Sequence, residues 1–228
     1  MTIHNEFNKH KDPKKAKILA RFFKTGKGEY AEGDQFLGII VPTQRKIANK
    51  YKELPTTEIQ QLLQSNIHEY RLTALLILIE QFKKKEKQTE IFNMYVKNTQ
   101  YVNNWDLVDI SAPTIVGTYL VKKEKTLLYT FAQSKNMWER RIAILATFSF
   151  IKQKQFNDTI KIAGILRNDV HDLIHKAVGW MLREVGKRDQ VIEEQFLDKY
   201  AATMPRTMLR YAIEKFDEKK RKYYLKLK

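Results

Sequence analysis

The sequence feature that most constrains the fold is a helical pattern that recurs with a spacing of 35 residues. After Thr43, apolar residues recur three and four positions apart over long windows, which is the spacing of one helix face. When these windows are superimposed, Arg71, Arg141 and Lys176 fall on the 35-residue period, and Asp106 fills the intervening position. A helical pair that repeats at about 35 to 47 residues buries its apolar face by stacking on its neighbours. The sequence therefore predicts an α-solenoid.

We expect an all-α fold, a right-handed α-solenoid of HEAT-like helical repeats with a concave basic face. The predicted helical windows are residues 70–82, 105–120, 138–151, 171–185 and 208–216. Residues 37–41 are the one β-like run, and they are too isolated to predict a sheet. A chain of 228 residues is within the size of a single core. We expect one domain over residues 1–228, with a glycine-rich loop at 24–34 and a basic C-terminal tail at 217–228.

The charge of the chain points to an anionic partner. Lysine and arginine total 42 against 26 acidic residues, which gives a net charge of +16 on a chain that is 43% hydrophobic. A folded protein with so positive a surface binds a polyanion or an anionic membrane. The longest apolar run, residues 75–79, is far too short to span a bilayer, and residues 1–17 lack the apolar core of a secretion signal. We expect a soluble, cytoplasmic protein.

Basic residues at matching repeat positions predict where that partner lies. Arg71, Arg141 and Lys176 would form a row along one face of the superhelix, and duplex DNA would fit such a positive track. The lysine-rich runs at 83–87 and 122–125 lie between helical windows and are interpreted as solvated loop ends. The last ten residues contain six cations and no acid, and they form either a phosphate-contacting tail or a solvated end.

A candidate reaction centre follows from two residues four positions apart. Trp105 and Asp109 share a helix face, and later helical segments carry Arg141 and Trp180. A carboxylate can stabilise a sugar that becomes cationic as its glycosidic bond breaks, and indole faces can hold a cationic base. The alternatives are that both tryptophans are core anchors and that the acids, Asp106 above all, complement the helix dipole.

The chain also resembles the AlkD-like DNA alkylation repair proteins, which are HEAT-repeat DNA glycosylases. The resemblance covers most of the length, and its most specific strings are Trp105-Asp-Leu-Val-Asp109 and Lys176-Ala-Val-Gly-Trp180-Met-Leu-Arg-Glu184. Weaker matches are Lys15-Ala16, Ala20-Arg21-Phe22, Phe36-Leu-Gly-Ile, Val41-Pro-Thr-Gln-Arg45, Ala112-Pro-Thr and Arg141 with Ala143-Ile-Leu.

The resemblance implies hydrolytic removal of cationic N3- and N7-alkylpurines from duplex DNA, in base excision repair, with the lesion kept in the base stack. It implies that Asp109, Trp105 and Trp180 are catalytic and that Arg141 anchors the DNA. The best-known members have a tyrosine where this chain has Phe22.

The glycine-rich loop is an insertion relative to the best-known members of that family. With Lys24, Lys27 and Tyr30 it either reaches over DNA or merely joins two helices. Thr43 and Arg45, in one of the matching strings, complete the expected DNA-binding set.

We expect no cofactor and no metal. The chain has no cysteine, which excludes thiolate zinc sites, disulfides and a thiol nucleophile, and His171 and His175 lack the carboxylate string of a metalloprotease helix. The expected partner is double-stranded DNA carrying alkylated purines, without a membrane, and the expected state is a monomer. Two other functions stay open, namely a non-catalytic protein that binds branched or distorted DNA and a solenoid scaffold for an acidic protein partner.

Overall fold

The computed structural model describes residues 2–227, and most of these residues are helical. The helices are α1 (Ile3–Asn8), α2 (Pro13–Phe22), α3 (Val41–Lys50), α4 (Thr56–Leu63), α5 (His68–Phe82), α6 (Gln88–Lys97), α7 (Trp105–Ser111), α8 (Thr118–Leu120), α9 (Thr126–Ala132), α10 (Met137–Ala146), α11 (Phe148–Lys152), α12 (Asn157–Leu166), α13 (Asp172–Gly186), α14 (Gln190–Tyr200), α15 (Arg206–Ala212) and α16 (Glu218–Lys226). Three short 3₁₀ turns, Lys85–Lys87, Thr99–Tyr101 and Ile213–Lys215, and a π-helical segment, Ala112–Gly117, complete the elements.

Within residues 2–227 the only β pairing is one isolated parallel bridge between Gln35 and Ile67, so the predicted all-α fold is confirmed. The right-handed superhelix and its concave face stay predictions. Among the same residues, no helix is long and apolar enough to cross a bilayer.

The chain forms two compact units, Met1–Ser111 and Ala112–Lys228. In the first unit α5 is the central helix, and α3, α4, α6 and α7 pack against it. Thirteen of the fifteen α5 residues are buried, which fits a helix that is covered on all sides by its neighbours. The expectation of a single domain over residues 1–228 stays a prediction beside these two units.

A buried carboxylate holds the extended segment that precedes α3. Glu69 accepts hydrogen bonds from the backbone N–H groups of Leu37, Gly38 and Ile39 at 2.8 to 3.2 Å. Gly38 has a φ of 83°, and a Cβ at this position would clash with the carbonyl oxygen of Asp12 at the start of α2. The β-like run of the sequence is therefore a peptide segment bound by a side chain.

The glycine-rich loop is shaped by its own acidic side chains. Glu29 accepts a hydrogen bond from the N–H of Gly26, and Glu32 accepts one from the N–H of Gly28, each at 2.8 Å. The loop ends at Asp34, whose carboxylate is buried. Self-capping of this kind gives the loop a defined turn without secondary structure.

In the second unit α13 packs on α10, α12, α14 and α15. Gly179 permits the close approach of α15, because a Cβ there would clash with the carbonyl oxygen of Met208. Glu193 of α14 lies against Gly186 with 1% of its surface exposed, and its Oε1 has no hydrogen-bond partner among residues 2–227. Burial, with a smaller contribution from Glu194, raises the pKa of Glu193 to about 9 although Arg183 opposes the shift.

The basic segment at residues 217–227 is folded. Asp217 caps α16 by accepting from the N–H of Lys220, and Tyr224 is buried with its hydroxyl donating to Asp198 at 2.8 Å. The guanidinium of Arg206 donates to the carbonyl of Leu225. This predicted tail is thus a helix that packs on its own unit.

The repeat has a local structural signature. Arg71 donates to the carbonyl of Ser65, six residues earlier, and Arg140 donates in the same way to the carbonyl of Ser134. In the next repeat the His175 ring is hydrogen-bonded to the carbonyl of residue 169, again six positions earlier. Each of the two serines also accepts from the N–H two residues further on, as residue 169 does. These contacts show that Arg71 occupies the same repeat position as Arg140 and His175. The 35-residue alignment of the sequence, which pairs Arg71 with Arg141, is therefore displaced by one residue.

Candidate active-site residues

Trp105 and Asp109 lie on the first and second turns of α7, and both are half-buried. The buried side chain of Asn104 accepts a hydrogen bond from the N–H of Trp105 at 2.8 Å, which fixes where the helix begins. Asp109 is close enough to the buried phenol of Tyr95 to affect it, since burial raises the pKa of Tyr95 and the charge of Asp109 adds to that shift. The tyrosine hydroxyl is in turn hydrogen-bonded to Ser111 at 3.0 Å.

Trp105 belongs to an aromatic cluster made of Phe22, Phe23, Phe36, His68 and Trp105. The ring of Phe23 stacks on Trp105 with centroids 5.4 Å apart, and the rings of Phe23 and Phe36 each lie 4.8 Å from His68. Phe22 meets the indole edge at 6.1 Å and is 60% exposed. Phe22, where the resemblance leads us to expect a tyrosine, thus lies beside the indole.

A buried charged network adjoins the cluster through His68. His68 places Nε2 2.8 Å from a carboxylate oxygen of Asp106 and Nδ1 3.3 Å from one of Asp34. The guanidinium of Arg71 donates to the same Asp34 oxygen at 2.6 Å. Burial alone would lower the pKa of His68, but the two carboxylates outweigh that effect and raise its pKa to about 8.

Arg71, expected to contact DNA, is only 2% exposed and is held by Asp34 and by the carbonyl of Ser65. A guanidinium in this position fastens the end of the glycine-rich loop to α5. The residue one position later, which corresponds to Arg141 in the repeat, is the buried Leu72. We therefore leave Arg71 out of the DNA-contacting set proposed below.

In the second unit Arg141 lies on α10 and is 5% exposed, and its guanidinium donates to the carbonyl of Leu173 in the first turn of α13. Lys176, one repeat later, is half-buried and pairs with Asp172 at 2.7 Å. The charge of Arg141 acts on Lys176, whose pKa is nevertheless raised, chiefly by its hydrogen bond to Asp172. These two cations therefore belong to one electrostatic group.

Trp180 is half-buried one turn after Lys176 on α13, and its ring centroid lies 6.2 Å from that of Phe148. The ammonium group of Lys152 lies 4.5 Å above the same phenyl ring. Trp138, in contrast, is buried in the core. Of the three tryptophans, Trp105 and Trp180 thus keep part of their surface accessible.

The remaining predicted DNA contacts are surface residues of the first unit. Lys24 and Lys27 are exposed on the glycine-rich loop, where Tyr30 is half-buried. On α3, Arg45 is exposed and Thr43 lies half-buried in the first turn. Because all three cations are exposed, each can contact a DNA phosphate without any rearrangement of the core.

The predicted residues fall into one group in each unit. Trp105 and Asp109 share a helix face in the first unit, and Arg141, Lys176 and Trp180 lie on packed helices of the second. That these groups form one surface stays a prediction.

The structure adds His68 and Asp34 to the surroundings of Trp105. No local pattern marks either residue, since their partners are more than 30 positions away in sequence.

The arrangement in the first unit can do one kind of chemistry well. A half-buried carboxylate on an ordered helix, one turn from an accessible indole, can face a cation that develops nearby.

His171 and His175, four positions apart in the second unit, each use one ring nitrogen in a hydrogen bond to the backbone. His171 accepts from the N–H of Leu173, and His175 is hydrogen-bonded to the carbonyl of Asp169.

Comparison with known proteins gives both a family and a fold. The family model described as DNA alkylation repair enzyme matches residues 3–216. A predicted DNA alkylation repair enzyme of Enterococcus faecalis has a solved structure with a TM-score of 0.70 and 19% identity, over 92% of this chain and 98% of that one. AlkD2 of Streptococcus mutans gives a TM-score of 0.58 and 19% identity, over 90% and 99%. No curated protein matches the sequence. These structures show the same helical repeat fold.

Proposed function

Because the chain belongs to the family of DNA alkylation repair enzymes, we propose that it is a monofunctional glycosylase that removes cationic N3- and N7-alkylpurines from duplex DNA. The observation that carries this proposal is the pair Trp105 and Asp109 on one accessible face of α7. A net charge of +16 supports DNA as the partner. Removal of an alkylated base begins base excision repair, and we propose that the protein acts in this pathway in the cytoplasm.

The proposed reaction needs little acid catalysis. An alkylated purine already carries a positive charge, so the electron pair of the breaking N-glycosidic bond neutralises the ring and the base leaves without added protonation. The sugar becomes cationic at C1′, and Asp109 stabilises that charge and orients a water molecule. The water oxygen bonds to C1′, and its proton passes to the carboxylate or to solvent. Uncharged adducts should be poor substrates.

The other residues hold the DNA in this proposal. Trp105 and Trp180 pack against the deoxyribose of the damaged nucleotide and the neighbouring backbone. The damaged base itself stays stacked in the duplex. Lys176 anchors a phosphate and so fixes the register of the duplex, and the buried guanidinium of Arg141 attracts the same phosphate through its charge. The pairing of Lys176 with Asp172 is exposed enough that a phosphate can compete for it. Lys24, Lys27 and Arg45 contribute further, sequence-independent contacts, with Tyr30 and Thr43 beside them.

Release of free base tests the proposal directly. Methylated duplex DNA is incubated with the protein, and 7-methylguanine and 3-methyladenine are measured by chromatography. Asp109→Asn keeps the shape of the side chain but removes its charge, and it should slow release by roughly 10²- to 10³-fold. Glu124→Gln removes the same charge from an exposed loop and should leave release unchanged. Equal rates for Asp109→Asn and the unaltered protein would refute the role of Asp109.

DNA binding separates this function from its main alternative. Asp109→Asn should bind methylated duplex within a few fold of the unaltered protein, and affinity should fall steeply as salt rises. Tight, salt-dependent binding without any free base, even with the most labile lesion, would instead identify a protein that binds distorted DNA. Phe22, exposed beside Trp105, is the observation that keeps this alternative in view.

A further inference from the structure

His68 is the group on which the surroundings of Trp105 converge. It lies at the start of α5 and is 2% exposed, and it contacts three separate parts of the first unit. These parts are Asp34 at the end of the glycine-rich loop, Asp106 in the first turn of α7, and the ring of Phe23 after α2.

The hydrogen bonds of His68 define its charge. Carboxylate oxygens only accept hydrogen bonds when ionised, and one lies at each ring nitrogen, 2.8 Å from Nε2 and 3.3 Å from Nδ1. With both carboxylates ionised, both nitrogens donate, and the ring is then an imidazolium. The other charged group of the network is Arg71, which donates to Asp34 and whose positive charge lowers the pKa of His68. The two carboxylates raise the pKa of His68 by more than Arg71 and burial together lower it.

The position of the imidazolium couples its charge to the indole. Asp106 follows Trp105 directly in the chain, so the bond from Nε2 holds the first turn of α7. From the other side, the imidazolium packs on Phe23 at 4.8 Å, and Phe23 stacks on Trp105 at 5.4 Å. Loss of the proton turns one ring nitrogen into an acceptor that faces a carboxylate oxygen at 2.8 or 3.3 Å inside a buried network, and this repulsion costs free energy unless the groups move.

We propose that the His68 imidazolium is a positioning residue that holds the first turn of α7, and thereby Trp105 and Asp109, in the orientation used for base release. This inference rests on the proposed function for its catalytic part only. Deprotonation of His68 loosens Asp106 and the aromatic cluster. Both the environment of Trp105 and the rate of base release should then change together near pH 8.

Two spectroscopic measurements test the coupling without any catalysis. Long-range ¹H–¹⁵N NMR of the histidine rings should show both nitrogens of His68 protonated at pH 7, with a transition near pH 8. In a Trp138→Phe, Trp180→Phe background, the emission of Trp105 should titrate with the same midpoint. His68→Gln should abolish that titration, and His10→Gln, on an exposed histidine, should not change it. A Trp105 signal that does not titrate, or that still does so in His68→Gln, would overturn the proposal.

A second variant covers the case in which His68→Gln does not fold. Asp106→Asn keeps an oxygen that can accept from Nε2 and removes the charge, so the midpoint of the Trp105 transition should move to lower pH. An unchanged midpoint would contradict the role of the Asp106 carboxylate.

Base release supplies the catalytic readout. From pH 7 to pH 9 the unaltered protein should lose up to about tenfold in kcat with little change in KM, because misplacement of reacting groups acts on the chemical step. The profile of His68→Gln should be low and flat. If no variant releases base, the proposed function fails, whereas the NMR and fluorescence midpoints still decide whether His68 holds Trp105.

Discussion

Glu193 offers the sharpest test of the electrostatics of the second unit. Its pKa is about 9 in the folded protein, whereas a carboxyl in the unfolded chain titrates near 4.5. Between these values the folded state retains a proton that the unfolded state has released, so the contribution of Glu193 to stability is greatest below pH 4.5 and falls as pH rises toward 9. Each pH unit corresponds to about 1.4 kcal/mol. Between pH 5 and pH 8 this group should therefore remove about 4 kcal/mol from the free energy of unfolding.

Glu193→Gln keeps the size of the side chain and abolishes its titration. Urea unfolding at pH 5, 6.5 and 8 should give a variant that is close to the unaltered protein in acid and more stable by up to about 4 kcal/mol at pH 8. Glu124→Gln is the matched control, because it makes the same substitution at an exposed position and should not produce this pH-dependent gain. A constant difference between Glu193→Gln and the unaltered protein across this range would refute the reasoning.

Three further substitutions test close packing and a buried hydrogen bond, each by thermal unfolding followed with circular dichroism. Gly38→Ala should cost about 2 kcal/mol or more, because its φ of 83° and the nearby carbonyl of Asp12 both oppose a Cβ. Gly179→Ala should cost about 1 to 3 kcal/mol by forcing α13 away from α15. Tyr224→Phe should cost about 1 kcal/mol through loss of the bond to Asp198. Unchanged midpoints would show that these contacts are not as tight as described.

The helices could be predicted from sequence because their apolar spacing is a local property. The window at 70–82 corresponds to α5, and the window at 171–185 corresponds to α13, each within two residues at either end. The window at 105–120 is one helical run, but a π-helical segment containing Pro113 interrupts its regular turns. Periodicity alone does not distinguish a π turn from an α turn, since the two differ by a single residue per turn.

The candidate site was predictable in part, since specific strings around Trp105, Asp109 and Trp180 identify the family. The register of the basic row was not, because Arg71 and Arg141 match in spacing while only Arg140 shares the local contacts of Arg71. Contacts between residues that are far apart in sequence could not be predicted either. Asp34 and Asp106 lie 34 and 38 residues from His68, and nothing in the intervening sequence indicates that they meet.

The carboxylate of Glu69 links the extended segment before α3 to the unfolding of the first unit. It binds the amides of Leu37, Gly38 and Ile39, which belong to no helix or strand. These three protons should exchange with deuterated solvent as slowly as those of the central helix, because all three are released only when Glu69 leaves its place. Deuterium uptake by this irregular stretch would then report the cooperative unfolding of the whole unit, and loop fraying would contribute nothing to it.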